Sequence, residues 1–520
     1  MTFKRIALIH IILFLVVLIF SVHPWYFLML TVAQLLFVPL ILRSILIREN
    51  RLYFYFAIPA FIAVAILQTT ANTKWDVLLA AVYLLFTFVV AVYGFGRFIR
   101  RGFAHLEEFS IDAGMMYLFI GGIWFFASIA EIDTGFSPIL TWLTGIHFHY
   151  SAFLLPIFIG FLGRLHKTTA YKIICTIILI APIVVALGIA FSPWLELVSV
   201  LLYIIGIYGF IVLAIKATFT STLQKAFVLT SFGSLGVTIV FSLLYATGVS
   251  SIGIDFMLRF HGFFNCILFA LCGVVGWSIS IPPSKDKGWQ FPISNIRGKS
   301  INGEKILSNN LGTASYDGLV DNMDMYVDRQ STPSTIIDFY ENTKGYRLFS
   351  EVHWHTWFKP FAAVYKLISR KVQQLNLPYS NKQMEMTGDI VAIEDGRTKT
   401  RAWIRKIDKE VVFVALYSFH QNNNKTFMNI ALPLPWSSMI GILELHQKHE
   451  KLLLTSKGSS DSDPGIYLAF RQYVFKLPLQ EQFLIEEIKE GELRAKHQMR
   501  IFSLPFLTIN YVINRSENFI

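Results

Sequence analysis

T-W-L-T-G-I-H-F-H-Y-S-A-F-L-L-P-I-F-I-G-F-L-G, residues 141–163, is long and apolar enough to cross a bilayer, yet it carries His147 and His149 in its first half. A strongly charged side chain at the centre of a membrane helix costs about 2.5–3.5 kcal/mol on insertion scales, so ionisable groups there face a protein interior or a wet cavity. This stretch therefore predicts a helix at the middle of a membrane bundle, with function near its histidines.

The composition agrees. Of 520 residues 54% are hydrophobic and only 15% charged, with a mean hydropathy of +0.54, far from a soluble chain. Apolar runs at 6–22, 25–42, 52–70, 77–95, 111–130, 140–162, 173–191, 195–213, 226–247 and 254–281 predict about ten transmembrane helices. The first run follows Lys4 and Arg5, but Ser21-Val22-His23-Pro24 offers no small-x-small cleavage site, so it reads as a retained helix. The net charge of +11 lies largely in short loops, which points to topology rather than nucleic acid. Alternate loops carry Lys4 and Arg5; Arg43, Arg48 and Arg51; Arg97, Arg100 and Arg101; Arg164, Lys167 and Lys172; Lys216 and Lys225; Lys285 and Lys287. Only Lys74 breaks the alternation, and both termini are expected in the cytoplasm. The cysteines, Cys175, Cys266 and Cys272, form no C-x-x-C pair and suggest neither disulfides nor a thiolate metal site. The expected domains are 1–281 in the membrane, a linker at 282–331, and a cytoplasmic domain at 332–520.

With this topology the sixth and tenth helices enter from outside. His147, His149 and Tyr150 then share a depth with Asp255, Arg259, His261 and Asn265, and Glu131 caps the fifth helix at the same level. His147 and His149 point about 200° apart on a helix, so they cannot chelate one ion together. An interfacial Asp255–Arg259 ion pair and histidines bonded between helices explain these residues as structure. A proton relay or a polar site for a transported solute explains their common depth. Gly121, Gly122, Gly262, Gly273 and Gly276 read as close helix packing. A metal or haem site lacks an H-E-x-x-H or comparable spacing.

G-I-H-F-H-Y-S-A-F-L-L-P (145–156) and R-F-H-G-F-F-N-C-I-L-F-A-L-C-G-V-V-G-W (259–277) resemble two signatures of the YndJ-like family of bacterial multi-pass membrane proteins. His147, His149 and Tyr150, then His261, Gly262 and Asn265, occupy the matching positions; Cys266 stands where a small residue such as alanine is usual. The resemblance implies a bacterial cytoplasmic membrane and transporter-type proteins.

Beyond Pro282 the pattern changes. Asn, Ser, Gly and Asp dominate 284–330, a composition with little fixed structure. Thr332-Pro333-Ser334 fits an N-cap with proline at the first helical position, and Gly345 a stop. Phe361, Val364, Tyr365, Ile368 and Val372 recur as one face of a helix, predicted to be buried. His353 and His355 alternate with Trp354 in an extended segment. Asp395-Gly396 turns a hairpin with Val391, Ile393, Ala402 and Ile404 on recurring positions. Further strands are expected at 411–419, 426–432, 440–445, 451–454, 466–475 and 494–502, giving an α+β domain with a mainly antiparallel sheet. A curved sheet gripping a helix would form a pocket for a lipid-like ligand. Arg397, Lys399, Arg401, Arg405 and Lys406 read as a solvated basic face or one that meets anionic headgroups. Neither a nucleophile elbow around Ser437, Ser438, Ser456 or Asp461 nor a phosphate loop occurs, and no cofactor is expected.

The leading expectation is a transporter of a small solute with a polar site in the outer half of the membrane and a regulatory or ligand-binding cytoplasmic domain. The alternatives are a metal- or haem-dependent membrane enzyme and a membrane-anchored sensor or envelope assembly factor. The expected partners are the lipid bilayer and a small solute or lipid-like ligand.

Overall fold

The computed structural model describes residues 3–46, 51–103, 105–247, 253–284, 288–300, 303–458, 463–471 and 473–516. Arg48, Lys285 and Lys287 of the loop-charge pattern, and Ser459 and Asp461 of the loop before the eighth strand, lie outside the described residues. The chain divides into two compact units, one of residues 1–98 and 105–285, the other of 99–104 and 286–520.

The first unit is helical: α1 (Phe3–Phe20), α2 (Phe27–Ile45), α3 (Arg51–Thr69), α4 (Asp76–Arg101), α5 (Leu106–Ile129), α6 (Pro138–Leu165), α7 (Thr169–Phe191), α8 (Pro193–Lys216), α9 (Thr222–Thr247) and α10 (Ile254–Ile279). These overlie the ten apolar runs. Among the described residues, eight of them, α2 and α4 to α10, are long and apolar enough to cross a membrane by length and composition. α6 occupies the middle: every residue from 152 to 163 is buried. A helix apolar on all sides belongs inside a bundle. Its Phe158 presses on α10, where a Cβ built on Gly273 would come 2.2 Å from the Phe158 ring; only glycine permits that approach.

Three helices are interrupted by π turns: α2 at Ala33–Phe37, α6 at Tyr150–Leu154, and α10 at Met257–Gly262 and Asn265–Leu271. A π turn inserts a residue and re-aims the side chains around it, and such turns concentrate at functional sites.

The second unit is built on a closed barrel. Its strands are β1 (Tyr346–Trp354), β2 (Met384–Ala392), β3 (Arg401–Ile407), β4 (Glu410–Asn422), β5 (Lys425–Leu434), β6 (Ser437–Lys448), β7 (Lys451–Thr455), β8 (Gly465–Phe470), β9 (Tyr473–Lys476), β10 (Leu479–Lys489), β11 (Glu492–Ile501) and β12 (Leu504–Arg515). Every pairing is antiparallel. β1 to β7 follow one another, β10 joins β7, and β12 returns to β1 over nine residue pairs from Tyr346–Arg515 to Trp354–Leu507. β5 pairs with β6, so ten strands form a ring, and the β8–β9 hairpin branches from the stretch of β6, Ser438 to Ile442, that β7 leaves unpaired. This corrects the expectation of a sheet. Its strands at 411–419, 426–432 and 440–445 are present, but 466–475 divides into β8 and β9, and the unforeseen β10 and β12 complete the circle.

Alternation along the strands sorts the side chains. On β3 and β4, Trp403, Phe413, Ala415 and Tyr417 belong to the inner core, whereas Ala402, Ile404, Val414 and Leu416 belong to an outer one. The outer core is covered by Phe291, Ile296 and Leu307. The stretch expected to have little structure therefore packs on the barrel; Leu319, Val320 and Met323 from it join the inner core. Burial on both faces explains why V-V-F-V-A-L-Y (411–417) is continuously apolar.

Two helices accompany the barrel: α11 (Ser334–Glu341) and α12 (Lys359–Val372). α11 starts one residue later than expected, with Pro333 flanking it and the Thr332 hydroxyl bonded to Asp328 O (2.9 Å) instead of capping. α12 departs from its expectation in part: of the face expected to be buried, Tyr365 and Val372 are half-buried, but Phe361, Val364 and Ile368 face outward, and Ala362 and Ser369 are buried instead. Periodicity located the apolar face correctly, but the residues buried are the small ones, Ala362 and Ser369.

The basic hairpin is also corrected. Arg397 is enclosed and bonds Asp395 (2.7 Å), Arg401 meets Asp321 (2.5 Å) and stacks on Tyr316, Lys399 pairs with Asp321 and Lys406 with Glu304, while Arg405 points into the barrel. Each has a counter-charge or an aromatic partner, so these groups do not form a free solvated face.

Candidate functional site

Two places gather polar groups in the first unit. In the middle of α6 the His149 ring is fully buried. Its Nδ1 lies 2.7 Å from Gly145 O and its Nε2 2.8 Å from the Tyr83 hydroxyl. Donation from Nδ1–H to the carbonyl and acceptance at Nε2 satisfy both nitrogens. Gln34, from the π turn of α2, lies against the same Tyr83 hydroxyl, and its buried Nε2 has no partner. Beside it the Tyr150 hydroxyl donates to Met29 O (2.7 Å) and lies 3.0 Å from Cys266 Sγ. On α10, Asn265 Nδ2 approaches His261 Nε2 (3.2 Å), His261 Nδ1 meets Thr238 O (3.0 Å), and the Thr238 hydroxyl donates to Asn265 Oδ1 (2.8 Å). The second π turn of α10 packs against those of α2 and α6.

The other expected residues make none of these hydrogen bonds, although His147 lies within electrostatic range of His261. Asp255 and Arg259 form an exposed i,i+4 pair (2.9 Å), His147 is exposed with Nδ1 on Leu143 O (2.8 Å), and Glu131 is exposed at a positive φ of 52°. His149 with Tyr83 and Gln34, Tyr150 with Cys266, and His261 with Asn265 and Thr238 thus form three separate sets of contacts, and Gln34, Tyr83 and Thr238 were not selected by sequence reasoning. Gln34 and Tyr83 lie in separate apolar runs, and only tertiary packing joins them.

The second polar place is at the start of α5. Glu108 receives a bidentate pair from Arg164 (2.7 and 2.8 Å), Arg97 bonds Asp112 (2.7 Å) and reaches Glu108 (3.3 Å), and Lys167 meets Glu107 (2.9 Å). Arg164 also donates to Pro282 O (2.9 Å), fixing the exit from α10. The cations were legible as loop charges; the acids E-E-F-S-I-D (107–112), with Glu108 and Asp112 one turn apart, gave the matching signal.

The barrel encloses a cavity of about 370 Å³, within the range of about 300–1,000 Å³ typical of small-molecule sites. Its wall is apolar, from Leu348, Met428, Ile485 and Ile509 among others. α11 contributes Phe339 and Tyr340, and α12 contributes Tyr365. Against this wall stand Arg405, Tyr417, Tyr511, Glu481 and His497. Arg405 lies between the Trp403 and Phe413 rings, 4.5 and 4.3 Å from their centroids, and its Nε has no hydrogen-bond partner. Among the described residues it has no carboxylate within ion-pair distance, though Tyr511 hydrogen-bonds it. Glu481 Oε1 lies 2.8 Å from His497 Nε2, off the line of a hydrogen bond; the ring stacks on Phe483 and its Nδ1 is unpartnered. Burial pushes the Tyr417 hydroxyl up to about 12, against the pull of Arg405, and raises Tyr511 likewise, so both remain donors. A buried cation and unsatisfied ring nitrogens on an apolar wall can receive a ligand with one polar, acidic end. No group of three His, Cys, Asp or Glu side chains arranged to hold a metal occurs among the described residues.

Comparison with known proteins places this architecture in a family. A profile described as "YndJ-like protein" matches residues 28–269, from α2 into α10. The "Uncharacterized membrane protein YndJ" of Bacillus subtilis (strain 168) is 37% identical over 490 residues, which cover 91% of this chain and 89% of that protein. No solved structure matches. With the relative's similarity running through both the helices and the barrel, the chain belongs to the YndJ-like family of membrane proteins.

Proposed function

We propose that this membrane protein handles a lipid-like, acid-headed amphiphile, held in the barrel cavity while the helices anchor and serve that site. The observation that carries the reading is a cavity of about 370 Å³ with an apolar wall and a guanidinium, Arg405, that has no carboxylate within ion-pair distance among the described residues. Apolar burial supplies affinity, and the guanidinium supplies the preference for an anionic head. Glu481 lies beside His497 (2.8 Å) and outside ion-pair distance of Arg405, so the guanidinium is left to meet an acidic head.

Solvent extraction and mass spectrometry of the purified full-length protein test this. An acid-headed amphiphile is expected near one per chain, lost when Ala495→Phe fills the cavity and reduced at least tenfold in Arg405→Met. Wild-type protein that carries no such molecule and binds none added would end the reading.

A second reading rests on the meeting of π turns in α2, α6 and α10: a transporter passing a solute or protons through the helical unit. In it both termini are cytoplasmic, His149, Tyr150, His261 and Asn265 line the path, and His147, Asp255, Arg259 and Glu131 stand at its outer entrance. Uptake into proteoliposomes should fall at least tenfold in His149→Gln and His261→Gln; unchanged flux in both would reject it.

A further inference from the structure

α12 turns its apolar side away from the barrel. Phe361, Val364, Leu367 and Ile368 are 61, 63, 72 and 54% exposed, whereas Ala362 and Ser369, on the face against the barrel, are 2 and 1% exposed. The exposed side continues onto neighbouring elements. Trp357, just before α12, is 45% exposed and donates from its indole nitrogen to Pro505 O (2.9 Å). Phe502, in the turn between β11 and β12, and Leu504, the first residue of β12, are 66 and 59% exposed. Phe502 and Ser503 both have positive φ, 47° and 69°, the conformation of a type I′ turn that favours Asn-Gly. Phenylalanine is costly in that turn; its ring meets Phe103 edge-on, with centroids 6.1 Å apart, and yet remains largely exposed, adding apolar surface beside that of α12.

Charge identifies what covers this surface. α12 carries Lys359, Lys366, Arg370 and Lys371 and no acidic residue. Arg370 reaches Glu410 (3.3 Å) and Lys366 bonds Asn376 (2.6 Å); Lys359 and Lys371 have no carboxylate partner among the described residues. A helix with leucine, isoleucine and phenylalanine on one side and uncompensated lysines beside them has the composition of one lying in a membrane interface. The chain is a membrane protein, which holds the bilayer at a local concentration that a free partner does not reach.

We propose that α12, Trp357 and the β11–β12 turn form a docking surface for an anionic lipid bilayer, the apolar side chains entering the headgroup boundary and the lysines meeting lipid phosphates. The surface adjoins the cavity, because Tyr365 of α12 and Phe358 line it and Phe358 stacks on Trp354 and packs at a tilt against Phe506. Docking brings that wall of the cavity to the lipid. The proposal does not depend on what the cavity holds.

The test uses the full-length protein in nanodiscs, with the photo-crosslinking residue benzoylphenylalanine placed in turn at Leu367, Phe502 and, as a control, Lys489, an exposed residue at the end of β10. After irradiation, intact-mass analysis is expected to find lipid adducts at the first two positions and none at the third. Adduct yield should rise at least threefold when phosphatidylglycerol replaces a third of the phosphatidylcholine, and the rise should vanish in Lys359→Gln, Lys371→Gln. Thermal unfolding of each labelled chain confirms that it folds. Adducts only with water, a covalent link between two chains, or equal yields in neutral and anionic discs would each overturn the proposal.

Discussion

At the scale of single residues, a polar group in an apolar interior is defined by its partners. His149→Phe keeps an aromatic ring, somewhat larger than imidazole, but leaves the Tyr83 hydroxyl and Gly145 O without the ring nitrogens. An unsatisfied buried group costs about 1–3 kcal/mol, so thermal unfolding in detergent should show a clear drop in Tm. Gly121→Ala tests the same seat from the other side, because its Cβ would come 2.8 Å from His149 Nδ1; it should lower Tm without removing a polar atom. In the barrel, Asp395 gives a pH dependence. Burial raises its carboxyl, but the charge and bonds of Arg397, with Ser294 and Thr400, outweigh that and hold it below the ordinary value. A carboxylate depressed by folding contributes stability that is present above its unfolded pKa and lost as pH falls through the folded one. The unfolding temperature of the barrel transition should therefore fall as pH drops below about 4, and Asp395→Asn should flatten that dependence while lowering stability at pH 7.

At the scale of elements, close packing of α6 on α10 makes Gly273 the sensitive point. In Gly273→Ala the added methyl meets Phe158, which is wholly buried, and overpacking typically costs about 1–3 kcal/mol. Detergent stability should fall accordingly, and Phe158→Leu should restore part of it. The helices themselves were legible because a run of about 20 apolar residues is a signal averaged over its whole length. Much less of the barrel was legible. Val391, Ile393, Ala402 and Ile404 announced the hairpin, but closure depends on β10, whose L-Q-E-Q-F-L-I-E-E-I-K is rich in charge, and on β12, whose partner lies some 160 residues earlier. α12 shows another limit: periodicity says which residues share a face, and only packing decides what that face meets. The sites divided similarly. His149, Tyr150, His261 and Asn265 stood out as polar residues in apolar runs, whereas Arg405 looked like one of several cations on a hairpin, and its inward aim follows from register.

At the scale of the whole molecule, the ring of strands has a consequence for how the protein is made. β1 cannot gain its second neighbour until β12, the last strand of the barrel in chain order, exists. During translation the growing domain is an open ribbon with two unpaired edges, β1 at one side and the newest strand at the other, and such edges invite association with other chains. The nascent protein thus spends almost the entire synthesis of this domain unable to seal itself, and its last strand acts as the clasp. A chain ended after Ile501 should retain the helices yet accumulate as aggregate or protease fragments, which pulse-chase labelling would follow. Supplying residues 502–520 as a separate peptide should rescue part of the protease-resistant barrel, because a strand added from outside can close the same gap.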